Sequence, residues 1–240
     1  MVAFRTTVKG YLDLCRITNL PSVWTNVLCA FLLAVGGRFS WQGYLLPAFA
    51  LSCYYLAGIC LNDLCDAAHD RVSRPCRPIP SGTVPLRGAQ ALTAFFFLAG
   101  TATVLATPHL AGLLAAILLM AVIVWYDCRH KQNPLSVLLM ALCRFLVFAV
   151  TALAATGRLS ALPALAGALQ FAYVVCISLV ARHENARTTP FPFPVIPLML
   201  AGIPLLDGVM LALLISPNWF LAGLAGSTLM LIGQRFVRGD

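Results

Sequence analysis

Residues 62–82 read Asn62-Asp63-Leu64-Cys65-Asp66-Ala67-Ala68-His69-Asp70-Arg71-Val72-Ser73-Arg74-Pro75-Cys76-Arg77-Pro78-Ile79-Pro80-Ser81-Gly82. The whole chain holds eight acidic residues, and three of them, Asp63, Asp66 and Asp70, fall inside this stretch. On a helix advancing about 100° per residue, Asp66 and Asp70 lie within about 60° of Asp63, and Asn62 widens the arc to about 100°. All four side chains therefore face one space. Carboxylates that close repel one another unless a cation sits among them. Hard oxygen donors beside a phosphate group suit Mg²⁺, which keeps several waters and takes one or two carboxylates. Arg74 and Arg77 follow, each fixed by a proline, and guanidinium forks grip phosphate oxygens in pairs. The stretch reads as a site for a Mg²⁺-diphosphate. A plain solvated loop, its acids and bases neutralising one another, would leave the helical phase of the carboxylates and the two Arg-Pro pairs unexplained.

On either side of this stretch the chain is apolar. With 60% hydrophobic and only 10% charged residues in 240, it is not a soluble globular domain. Runs of about 20 apolar residues cross a bilayer core. Eight are expected: 19–36, 41–61, 86–106, 109–126, 134–156, 160–181, 195–215 and 218–235. Residues 1–18 form a basic interfacial lead-in with Leu12, Leu14 and Ile17 facing lipid, and residues 62–85 and 182–194 are the long polar loops. The fold expected is an all-α polytopic membrane bundle of about eight transmembrane helices, one domain over residues 1–240, with a cavity opening to the cytoplasm. Prolines 190, 192, 194, 197 and 204 make the seventh span hard to start and kinked. Arg5 and Lys9 precede an apolar run without a small-residue cleavage site, so the N-terminus is expected to remain.

The net charge of +8 lies in short loops, which points to membrane orientation rather than nucleic acid. With the N-terminus inside, thirteen Lys/Arg fall on the inner face, and only Arg38 and Arg158 fall outside. Both termini and the polar loops are thus expected on the cytoplasmic side of the inner or plasma membrane. Nine cysteines do not form a disulfide framework, since Cys29, Cys53, Cys60, Cys143 and Cys176 lie in apolar runs. A soft-metal cluster from Cys65, Cys76, Cys128, His69, His130 and His183 lacks any CxxC or HxxxH spacing.

The pattern NDxxDxxxDxxxRPxRPIPSG, carried by Asn62, Asp63, Asp66, Asp70, Arg74, Pro75, Arg77 to Pro80, Ser81 and Gly82, resembles the first aspartate-rich motif of the UbiA superfamily of intramembrane prenyltransferases. The short length is similar to that of EboC-like members. The resemblance implies a helical membrane enzyme that moves a prenyl group from a prenyl diphosphate to a lipophilic or aromatic acceptor, with Mg²⁺ as cofactor. It assigns Asp63, Asp66 and Asp70 to the metal and Arg74 and Arg77 to the diphosphate. It also implies nine spans, which leaves this chain one short, and a second DxxxD motif after the sixth. Ala181 and Asn185 stand where those aspartates are expected, with Arg182, His183 and Glu184 between them. Glu184 is the carboxylate that survives, and Arg182 brings positive charge to that side of the mouth.

Further candidates follow from charge. Arg129 and Lys131, in a 127–133 loop, could close over a diphosphate or simply anchor the chain at the membrane surface. Arg144 sits inside a span, where a charge is costly and marks function by default. It either reaches the diphosphate or pairs with a carboxylate such as Asp66. Asp207 is the other charge inside a span, nearer the outer face and with no evident partner. Phe95, Phe96, Phe97, Phe145, Phe148, Phe171 and Tyr173 are available to line an apolar channel. The competing function is a non-catalytic protein of the same fold that binds or carries an isoprenoid lipid. No Ser-His-Asp or Cys-His arrangement points to covalent catalysis.

Overall fold

The structure, a computed structural model, describes residues 2–129, 136–185 and 193–236, with side chains over 8–128, 136–184 and 193–236. The described residues form nine α-helices: α1 (Val2–Cys15), α2 (Leu20–Ala34), α3 (Trp41–Ser73), α4 (Leu86–Leu105), α5 (Ala111–Arg129), α6 (Ser136–Thr156), α7 (Ala161–Asn185), α8 (Val195–Leu214) and α9 (Phe220–Gly233). Seven helical segments are long and apolar enough to cross a membrane. The eighth expected run, 218–235, is α9, whose 14 residues follow a 3-10 turn at Pro217–Trp219. At 1.5 Å per residue α9 spans about 21 Å, short of a hydrocarbon core of about 30 Å.

Consecutive helices pack as hairpins, α3 on α4, α5 on α6, α6 on α7 and α8 on α9, while α2 touches α3, α6, α7, α8 and α9. Burial makes α2 the axis of the bundle, with 72% of its span inside the protein against 22% for α4. Small residues let the helices close. A Cβ on Gly223 would lie 2.6 Å from the Gly208 Cα, so α8 and α9 meet backbone to backbone.

Three expectations change near the site. First, α3 does not stop at residue 61 but runs 33 residues to Ser73. That is about 50 Å, so its last turns stand clear of the core and carry the aspartates on a helix rather than a loop. It ends at Arg74, whose φ of −144° is what a residue before proline adopts. Second, residues 127–129 and 182–185 continue α5 and α7. Third, the lead-in is a helix, α1, whose Leu14 is buried with Cys15, Ile79 and Val84 instead of facing lipid, whereas Leu12 is exposed and Ile17 half-buried.

Residues 74–85 fold back against α3 and α1. Gly82 turns the chain at φ +76°, its N–H donating to the Ile79 carbonyl at 3.1 Å, and the Val84 N–H donates to the Pro78 carbonyl at 2.9 Å. A side chain there would be strained, which is the use of glycine in this turn. Ile79 and Val84 enter the core cluster beneath α1, and that anchoring returns Arg77 to the face of α3.

Candidate active site

Asp63 and Asp70 are buried and Asp66 is half-buried, all on the arc of α3 expected from the helical period. Arg77 donates from Nη1 to Asp70 Oδ2 at 2.6 Å and lies 3.5 Å from Asp63 Oδ1. A second cation completes the group. Arg16 donates from Nη2 to Asp63 Oδ1 at 3.0 Å. Arg16 links α1 to the turn before α2 in a left-handed conformation, φ 42° and ψ 48°. Non-glycine residues seldom hold that conformation unless their surroundings fix them there, and such residues gather at functional sites. From α5, buried Asp127 accepts from the Asn62 amide at 3.2 Å and stands within electrostatic reach of Asp63 and Asp66.

The mouth thus gathers Asp63, Asp66, Asp70 and Asp127 with Arg16 and Arg77. Arg16 and Arg77 offset part of the charge of this carboxylate group. The donors are hard oxygens, the set that Mg²⁺ prefers, so the residues fit that ion chemically. Among the described residues no three His, Cys, Asp or Glu side chains converge on one point closely enough to hold a metal unaided. Arg77 lies between Asp63 and Asp70, so an ion bound there needs phosphate oxygens to complete its shell, the usual manner for Mg²⁺. Of the soft-metal grouping, Cys65 and Cys128 approach to 3.9 Å, and His130 lies outside the described residues.

Behind the mouth lies a cavity of about 230 Å³. Arg16, Asn62, Tyr126 and Asp127 line it with a mainly apolar wall that includes Leu51, Ile123, Val147, Val174 and Ile203. Tyr54 and Tyr55 line it as well, and the seven aromatics available for a channel are not among its lining residues.

The other candidates are placed as follows. Arg74 is exposed at the C-cap of α3, and the ion pairs to Asp63 and Asp70 come from Arg16 and Arg77 instead. Arg182 donates to Ser136 Oγ at 3.1 Å, tying α7 to α6, and Glu184 is half-buried at the end of α7. The Arg129 and Asn185 side chains and all of Lys131 lie outside the described residues. Arg144 does not pair with Asp66. It donates to Asn26 Oδ1 at 2.9 Å and Ser22 Oγ at 3.0 Å on α2. Asp207, 1% exposed, accepts from Asn26 at 2.7 Å and from Gln170 at 2.9 Å, so both span-buried charges belong to one network.

Sequence reading missed Arg16 and Asp127 as site residues. Each is a lone charge at the end of an apolar run, a position that also suits membrane anchoring, and only the packing of α1 and α5 on α3 brings them in.

The profile of the UbiA prenyltransferase family matches residues 22–239. Digeranylgeranylglyceryl phosphate synthases are among the relatives. The protein of Haloquadratum walsbyi is 34% identical over 124 residues, 51% of this chain and 43% of its own length. That of Methanopyrus kandleri is 36% identical over 130 residues, 53% of this chain and 46% of its own. The alignments thus span less than half of these curated relatives. A solved structure concerned with digeranylgeranylglyceryl phosphate synthase superposes with a TM-score of 0.62 at 16% identity, covering 96% of this chain and 95% of that one. A UbiA homologue from Archaeoglobus fulgidus, bound to GPP and Mg²⁺, superposes with a TM-score of 0.58 at 17% identity, over 95% of this chain and 88% of the other. The helical bundle, the aspartate arc and a profile match over nearly the whole length agree: this chain belongs to the UbiA prenyltransferase family.

Proposed function

We propose that the chain, acting as one transmembrane unit, transfers a prenyl group from a prenyl diphosphate to a lipophilic or aromatic acceptor inside the membrane. The observation that carries this reading is the polar mouth, Asp63, Asp66, Asp70 and Asp127 with Arg16 and Arg77, opening on an apolar cavity. Asp63, Asp66 and Asp70, with Asn62 and Asp127 beside them, would hold Mg²⁺. Bound there, the ion supplies charge neutralisation for the diphosphate. Arg16 and Arg77, aimed at the same space, donate to the diphosphate oxygens as charge grows on the leaving group. The allylic carbon then faces the cavity, where Tyr54, Tyr55 and Tyr126 present aromatic surface to a developing cation. An apolar wall keeps water from capturing that cation before the acceptor does. Arg129 and Lys131 are assigned to closing the mouth, and Arg182 to holding the end of α7 beside it. The mouth is assigned to the cytoplasmic face of the inner or plasma membrane, because the Lys/Arg excess falls there.

One observation favours the carrier reading: the end of α7 offers Glu184 as its carboxylate, and no three-ligand group forms among the described residues. The test is diphosphate release by the purified chain given geranylgeranyl diphosphate, Mg²⁺ and a panel of acceptors. Mg²⁺-dependent release with a prenylated product supports the transferase. Tight binding with no release under any condition supports the carrier.

A further inference from the structure

The end of the bundle opposite the mouth holds a second cavity, of about 530 Å³, where the α2–α3 turn meets the end of α4 and the end of α6. Gln42 on its wall and Asp63 are separated by about 30 Å along α3, so the two sites are distinct. Gly36 and Gly37 turn the chain past the end of α2 with φ of +66° and +83°, and the Gly37 N–H donates to the Leu32 carbonyl at 2.8 Å. Two left-handed residues in succession cost glycine little, and this turn delivers Arg38 to the cavity wall. Ser40 then caps α3, its Oγ accepting from the Gly43 N–H at 3.3 Å. The N–H groups of Trp41 and Gln42, in the first turn, have no acceptor within the helix. A guanidinium and a helix N-terminus thus share one wall, while Phe31, Val35, Leu46 and Pro47 make the rest apolar.

Charge decides the occupant. Among the described residues no carboxylate pairs with Arg38. Arg158 stands in the α6–α7 turn and His109, packed on Gly157, in the α4–α5 turn, so this end of the bundle is basic. The described carboxylates lie elsewhere: on α1, at the far ends of α3, α5 and α7, or, for Asp207, buried and bonded to Asn26 and Gln170. An anion is favoured here by the arginine, and the N-terminus of α3 adds to the attraction. A small hydrated anion would leave the apolar wall wet, whereas a lipid chain covers it. A zwitterionic headgroup would bring an ammonium to a face with no carboxylate to receive it. Phe39 lies 5.0 Å from Trp41 and 6.0 Å from Trp219 beside Arg38, an aromatic cluster of the kind that sits at headgroup level. We propose that this cavity binds an anionic phospholipid of the leaflet facing away from the aspartate mouth. Its phosphate is held by Arg38 and the N-terminus of α3, and the start of an acyl chain lies along Phe31, Leu46 and Pro47.

Native mass spectrometry of the purified full chain in an uncharged detergent tests this, with dioleoylphosphatidylglycerol and dioleoylphosphatidylcholine supplied in equal amounts. The two lipids share their chains and phosphate and differ in net charge. Wild type should retain phosphatidylglycerol at least about fivefold over phosphatidylcholine. Arg38→Gln should bring that ratio below about twofold, and Arg38→Lys, which keeps the charge but not the fork, should fall between them. Arg87→Gln removes an exposed cation at the start of α4, on the mouth side, and should leave the ratio within about 1.5-fold of wild type. Glycerol phosphate, the headgroup without chains, should not displace the bound lipid at equal concentration. Equal retention of the two lipids by wild type overturns the proposal without need of any variant. An unchanged ratio in Arg38→Gln overturns it too, as does an equal fall in Arg87→Gln, which would mean a diffuse effect of charge. Displacement by glycerol phosphate would make the cavity a small-anion site and overturn the lipid. No arm involves diphosphate or turnover, so the result stands apart from the transferase reading.

Discussion

Asp63 and Asp66 sit one helical turn apart and carry different loads. Asp63, 5% exposed, receives both Arg16 and Arg77, so it holds α1 and the 74–85 segment onto α3 as well as facing the site. Removing one partner of a buried ion pair strands the other, at a cost of about 3 kcal/mol. Asp63→Asn should therefore lower the stability of the detergent-solubilised protein by about that amount, read from its unfolding midpoint. Asp66→Asn, at a half-buried position, should weaken ligand binding and lower the midpoint less than Asp63→Asn does. Equal destabilisation by both would place Asp66 in the structural pair. Arg77→Lys should also weaken diphosphate binding, because an ammonium reaches one carboxylate where the guanidinium spans Asp63 and Asp70. The arc of carboxylates was legible in the sequence because the helical period alone sets their relative direction. Arg16 and Asp127 were not, since nothing local says which way an isolated charge at a span end turns. For Arg144, sequence showed that a charge inside a span must have a partner, but its partner lies on α2, 118 residues away.

At the scale of elements, the ends of α3 and α5 frame the mouth, and Cys65 and Cys128, both exposed, record their approach at 3.9 Å. Mild oxidation should couple these two thiols and protect them together from maleimide alkylation, while exposed Cys76 stays reactive. Independent alkylation of Cys65 and Cys128 after oxidation would show that the helix ends are farther apart. The far side of the bundle depends on glycine. Gly223 meets Gly208 with no room for a Cβ, so Gly223→Leu should push α9 off α8. Overpacking of this kind costs about 3 kcal/mol, measurable as an earlier midpoint in detergent unfolding, whereas Ser227→Ala removes only one hydrogen bond to the Ala201 carbonyl. Hydropathy located α9 but not its short length, because composition does not report where a 3-10 turn replaces helix. It also placed the end of α3 too early, since the polar residues that leave the apolar core are still good helix formers up to the Arg74-Pro75 break.

For the whole molecule, orientation and chemistry are linked. The orientation proposed from the Lys/Arg excess has the mouth on the cytoplasmic face, with the exposed Cys65, Cys76 and Cys128 on that side. A membrane-impermeant maleimide added to intact cells should miss all three, and label them once the membrane is opened. Labelling of Cys76 from outside would reverse the orientation and deny the mouth a cytoplasmic diphosphate. The account depends above all on a diphosphate that binds at the aspartate arc through a divalent ion, and equilibrium binding of geranylgeranyl diphosphate titrated with Mg²⁺ reads that step alone. Because the carboxylates gather on the facing ends of α3 and α5, binding should appear with Mg²⁺ along a single-site curve. It should weaken at least about tenfold, about 1.4 kcal/mol, in Asp66→Asn, and keep its single-site form in Glu184→Gln. Diphosphate binding that ignores both Mg²⁺ and the loss of Asp66 would reduce the mouth to a neutralised cluster of ion pairs and remove the basis for the transfer reaction.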